Sequence, residues 1–120
     1  MASSEATISQ IYHVVLPLLL RAGQILTARQ KELVGLNAKA RHEKGQTIEE
    51  EIKSFLSNTL IQLFPKHSVY NPAKPVTGEA AIWQWIVTPL DGGRYYFRGL
   101  PLFTVSLALK HEGEVVLGLI

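Results

Sequence analysis

The feature that most constrains this chain is a change of hydrophobic period at Pro65. Before it, apolar residues recur every three to four positions: Ile8, Ile11, Tyr12, Val15, Leu18 and Leu19, and later Ile48, Ile52, Phe55, Leu56, Leu60 and Leu63. That spacing predicts amphipathic helices. After Pro65 the pattern becomes alternation, clearest where Val105, Leu107 and Leu109 interleave with Thr104, Ser106 and Ala108. A period of two predicts a half-buried strand. Helices first and strands later give an α+β class with a mainly antiparallel sheet.

Pro17 lies inside the first helical run, residues 8–30, and predicts a kink or break. Residues 31–46, with Gly35, Gly45 and mixed charges, read as a loop or weak hairpin. Thr47 and Glu50 have capping-box spacing and predict the start of a second helix, which Pro65 stops. Residues 67–70 and 82–88 read as strands around a Pro- and Gly-containing loop, and residues 89–93 as a sharp turn. Strands over 102–110 and 115–120 follow, joined by Glu112-Gly113. The chain reads as a single domain over 1–120, helical over 5–65 and sheet over 66–120.

Composition excludes several chemistries. There is no cysteine among the 120 residues, hence no disulfide, thiolate metal site or cysteine nucleophile. Nine of the ten acidic residues are Glu; Asp91 is the single aspartate, which disfavours an Asp-rich metal site. The twelve Lys and Arg are spread out, and the nearest thing to a cluster, Lys39, Arg41, His42 and Lys44, is interrupted by Glu43. We therefore expect no nucleic-acid partner. The longest apolar run, residues 14–20, is too short for a bilayer and has no preceding Lys or Arg. The expectation is a cytoplasmic protein with no membrane partner. The four histidines lack the spacing of a metal site, and Trp83 and Trp85 read as packing residues.

One stretch carries chemistry. Trp85-Ile86-Val87-Thr88-Pro89-Leu90-Asp91-Gly92-Gly93 leads into Arg94-Tyr95-Tyr96-Phe97-Arg98-Gly99-Leu100-Pro101. It resembles the W-x-V-D-P-L-D-G-T-x-N-F-x-x-G-x-P motif of the inositol monophosphatase family of magnesium-dependent phosphatases. Ala22-Gly23-Gln24-Ile25-Leu26, Leu63-Phe64-Pro65-Lys66-His67-Ser68 and Gly113-Glu114-Val115-Val116-Leu117-Gly118 resemble further segments of that family. The implied fold is the N-terminal portion of a layered α/β sandwich, two helices packed on a mainly antiparallel sheet. No later W-D-x-A-A-G-type motif is found, so the resemblance implies a truncated relative or a fragment.

The resemblance also implies a site, carried over position by position. The family's metal-bridging Asp is Thr88 here, and its metal-binding Glu aligns with Pro72. Asp91 keeps the second acid, and Leu90 keeps the position that offers a carbonyl to metal. The Thr that helps activate water is Gly93, and its acidic partner is Glu49. Independently of the resemblance, Gly92 and Gly93 read as a nest of backbone N–H groups that attracts phosphate, beside the plain reading of Asp-Gly as an ordinary turn. Mg²⁺ is the implied cofactor, yet it needs hard carboxylate oxygens that Thr88 and Pro72 cannot supply. The reading is a catalytically impaired pseudo-phosphatase whose partner is a phosphorylated small molecule. Two alternatives stand beside it. One is an active phosphomonoesterase with an altered site of Asp91, Glu79 and Glu49. The other is a non-enzymatic module that forms a homo-oligomer.

Overall fold

The computed structural model describes residues 7–120, so residues 5 and 6 of the expected helical part lie outside the described residues. Helix α1 spans Ile8–Arg29 and opens on a capping box. Thr7 accepts from the Gln10 N–H, while the Gln10 side chain accepts from the Thr7 N–H. Pro17 does not break this helix. It lies on the exposed face, as does His13, whose carbonyl it cannot serve, while Val15, Leu18 and Leu19 are buried on the other side. With the following 3₁₀ turn, Gln30–Leu33, this segment is long and apolar enough to cross a membrane by length and composition alone. Its buried face nevertheless packs against the second helix and the sheet, as a core helix does.

Helix α2 runs over Ala38–Leu63, nine residues earlier than the Thr47 start that the sequence suggested. Asn37 is its cap, accepting from the Ala40 N–H at 2.8 Å. Thr47 instead turns its hydroxyl back to the Glu43 carbonyl at 3.1 Å, inside the helix. Gly45 is the reason the segment reads as a loop, since glycine costs about 1 kcal/mol in a helix interior. Here it is buried, and a Cβ at that position would fall 2.2 Å from the Phe97 ring. Glycine permits the close approach that propensity alone disfavours.

The sheet has the order β1-β2-β3-β4, from Ser68–Val69, Trp83–Asp91, Thr104–His111 and Glu114–Leu119. Only β1 and β2 are parallel, so the mainly antiparallel expectation holds. Strand β2 continues through Pro89 to Asp91, where a sharp turn was expected. Its ladder to β3 shifts register between Thr88 and Asp91, which accommodates a residue without an N–H. Glu112 and Gly113 both have positive φ, 50° and 86°, as a tight β3–β4 hairpin turn requires. Val105, Leu107 and Leu109 face the helices, in the alternation expected. A short helix α3, Gly93–Phe97, follows β2.

One core joins these layers: Ile11, Val15 and Leu26 from α1, Ile48, Ile52 and Leu56 from α2, and Trp85, Leu107 and Leu109 from the sheet. The helices are also clamped at one corner. Arg29 bonds Glu32 at 2.9 Å and pairs with Glu51 on α2, and Lys44 reaches Glu32 at 3.3 Å. The Arg29 hydrogen bond, reinforced by Lys44, holds the Glu32 carboxyl down to about 2 despite some desolvation. A depressed carboxylate stabilises the fold above its unfolded value near 4.5, and that contribution disappears as pH falls toward 2. Denaturation midpoints at pH 6 and pH 3 should therefore differ more for the parent than for Glu32→Gln. Equal pH sensitivity in the two would show that the clamp contributes nothing.

Candidate functional site

The cleft lies at the C-terminal end of β2. One face of α2 supplies Ala38, Arg41, His42, Gln46 and Glu49, spread over three turns of the helix. Opposite it, β2 contributes Leu90 and Asp91, and the α3 segment contributes Gly92, Gly93, Arg94 and Arg98. The cleft encloses about 600 Å³.

Local sequence explains how α3 is held there. Gly92 is left-handed, φ 85°, and its carbonyl accepts from the N–H groups of Tyr95 and Tyr96, each at 3.0 Å. A Cβ on Gly92 would lie 2.5 Å from the Leu102 carbonyl oxygen, so both conformation and space require glycine. Tyr96 is fully buried and donates its hydroxyl to the Leu26 carbonyl of α1 at 2.6 Å. Burial pushes that phenol up to about 12, so it remains a donor across the ordinary pH range. Gln30 adds bonds from its amide to the carbonyls of Tyr96 and Leu100, 3.0 and 3.1 Å. Phe97 meets the His42 ring edge-on at 5.5 Å. The α3 segment is thus anchored to both long helices.

The structure brings Asp91, Leu90, Gly92, Gly93 and Glu49 into one cleft. Burial pushes the Glu49 carboxyl above its ordinary value, the Glu50 charge adds to this, and Lys53 opposes it. Other implied positions fall elsewhere. Thr88 pairs with Ser106 on β3 and does not line the cleft. Pro72 is exposed in the loop after β1. Glu79 sits in a 3₁₀ turn, Gly78–Ala81, just before the start of β2, whereas Asp91 ends that nine-residue strand. At about 3.3 Å per residue the strand separates the two by more than about 20 Å. The Asp91, Glu79 and Glu49 arrangement is therefore corrected: Glu79 is remote from the other two.

Among the described residues no three His, Cys, Asp or Glu side chains gather where they could hold a metal ion. Of the implied ligands, one carboxylate remains at the strand end, and its neighbours in the cleft include three arginines. That donor set does not fit Mg²⁺, which requires several hard oxygens and net negative charge. Arg41, Arg94 and Arg98 form one group only because residues 38–46, which read as part of a loop, belong to α2. Asn37 as a cap, followed by the helix formers Ala38, Lys39, Ala40 and Arg41, was the available signal.

The inositol monophosphatase family model matches residues 7–120. The chain belongs to the inositol monophosphatase family. A fructose-1,6-bisphosphatase/inositol-1-monophosphatase from Aquifex aeolicus is 30% identical over 105 residues, 82% of this chain and 38% of that protein. A Nus factor SuhB from Xylella fastidiosa is 28% identical over 95 residues, 78% of this chain and 34% of that protein. The crystal structure of the extragenic suppressor protein suhB from Bartonella henselae superimposes with a TM-score of 0.73 at 25% identity, covering 90% of this chain and 42% of that one. The chain therefore spans about two fifths of the length of the family members it matches. Relatives named as phosphatases and as a Nus factor occur side by side, so the expectation of no nucleic-acid partner draws no support from the family.

Proposed function

We propose that this chain is a catalytically impaired, inositol-monophosphatase-like protein that binds a phosphorylated small molecule. The observation that carries this reading is the composition of the cleft. It keeps Asp91, Gly92 and Gly93 at the end of β2 and Glu49 across from them, while the Thr88 hydroxyl and the Pro72 ring cannot stand in for carboxylate ligands. A metal-dependent phosphatase uses its ions to lower the pKa of the attacking water and to neutralise the charge that develops on phosphate. A lone Asp91 beside cationic side chains supplies neither multidentate ligation nor the negative charge that would concentrate such ions. Glu49, with its proton affinity raised by burial, has no Thr partner across the cleft, because that position is Gly93. What these residues can do is line a concave, anion-attracting pocket.

The test is hydrolysis of myo-inositol 1-phosphate by the purified chain with excess Mg²⁺, read as released phosphate. The expected rate is that of the buffer. Turnover that disappears in Asp91→Ala would overturn the reading, since a working metal site would then depend on that carboxylate.

A further inference from the structure

The cleft that lacks a metal-ligand set has an excess of positive charge. Arg41 enters from α2, Arg94 from α3 and Arg98 from the C-cap of α3, against the carboxylates of Asp91 and Glu49. Arg41 lies one helical turn before Gly45, which packs against Phe97, and lines the same cleft as the other two. Among the described residues none of these three guanidiniums forms an ion pair, although both carboxylates line the same cleft. Arg29 behaves differently, since it is engaged by Glu32 and Glu51. Three arginines without carboxylate partners around one concavity leave their donors directed at solvent or at an incoming ligand.

We propose that the cleft binds a phosphate monoester dianion without a metal ion, through the guanidiniums of Arg41, Arg94 and Arg98, with Asp91 as a repulsive neighbour. This rests on the phosphate-binding reading above and adds the means of recognition. A guanidinium presents five N–H donors in a planar fork that matches two phosphate oxygens at once. Its charge does not titrate in the ordinary pH range, so it can stand permanently where a divalent cation would otherwise neutralise the anion. Asp91 then acts with the opposite sign from a metal ligand. Removing its charge should strengthen anion binding, whereas at a metal centre the same change would weaken it.

The experiment is calorimetric titration of the chain with inorganic phosphate and with myo-inositol 1-phosphate, once in EDTA and once in excess Mg²⁺. Affinities should agree within about twofold between the two conditions. Arg94→Gln and Arg98→Gln should each weaken binding about tenfold, the usual result of losing a charge-assisted hydrogen bond. Asp91→Asn should bind at least as tightly as the parent, and circular dichroism of each variant verifies that it is folded. Vesicles carrying phosphatidylinositol 4-phosphate separate the two sources of such a dianion: cosedimentation identifies a lipid headgroup, and binding of the free compounds alone identifies a soluble ligand. Binding that needs Mg²⁺ and is lost in Asp91→Asn overturns the arginine site while leaving the phosphate reading intact. Affinities unmoved by both arginine substitutions also overturn it. Absence of binding to every probe, with and without Mg²⁺, overturns the phosphate reading itself.

Discussion

Replacing Trp85 by alanine is expected to cost about 3–5 kcal/mol, a large part of the roughly 5–15 kcal/mol that holds a typical domain together. Trp85 is fully buried in the middle of the core, between the sheet and the two long helices. Its indole N–H donates to Nδ1 of His67 at 3.0 Å, so that imidazole nitrogen carries no proton in this arrangement. His67 in turn lies between rings, stacked on Phe64 at 4.8 Å and on Trp83 at 5.3 Å, and Trp83 continues the column to His111 at 4.0 Å. Truncation at Trp85 therefore opens a cavity and leaves the His67 acceptor without this donor. Trp85→Phe separates the two effects: it keeps most of the volume and should cost about 1–3 kcal/mol from the lost hydrogen bond and residual void. Urea denaturation followed by circular dichroism measures both. A loss below about 1 kcal/mol for Trp85→Ala would mean that this side chain is not buried as described.

Gly92→Ala should destabilise the chain by about 2–5 kcal/mol and displace the wall of the cleft. Two costs combine there. A left-handed residue with a Cβ is disfavoured by about 1–2 kcal/mol, and φ at Gly92 is 85°. The added carbon would also lie 2.5 Å from the Leu102 carbonyl oxygen and 3.2 Å from the Phe103 Cα, both backbone atoms that cannot rotate away. Forcing such a contact typically costs a further 1–3 kcal/mol or so. Gly99 provides the control, with φ 81° and open space around the position of its Cβ. Gly99→Ala should show the conformational cost alone. The difference between the two midpoints reports the contact with the segment after α3. Equal losses would show that Leu102 does not close over Gly92.

The β3 alternation is legible because one face of that strand meets the helices and the other does not, so burial writes a period of two into the residues. Pro65 ends α2 close to where it should, because it cannot extend a helix. The start of α2 was not legible. Gly45 signals a break locally, and only the Phe97 ring pressing on it explains why glycine stands in a helix. Pro17 misled in the same way, since a proline on an exposed helix face leaves a carbonyl to water while packing on the other face holds the helix together. In β2 the turn signal Pro89-Leu90-Asp91-Gly92 proved to be a strand with shifted register followed by a left-handed residue.

For the site, the motif around Asp91 identified the family, which is a property of contiguous residues. That Thr88 and Pro72 stand where the resemblance implies carboxylates could also be read directly, because a hydroxyl and a pyrrolidine ring cannot replace carboxylates whatever the fold. What the sequence could not decide is which distant residues share a space. Glu79 precedes Asp91 by twelve positions and was a candidate partner, yet an extended strand turns those positions into distance. Arg41 precedes Arg94 by more than fifty positions, yet the packing of α2 against α3 turns that separation into proximity. Local chemistry thus determined the helical and alternating segments and the residues that stand in the motif. Tertiary packing alone decided the charge of the cleft, because charge in a cleft is a sum over side chains that only the folded chain brings together.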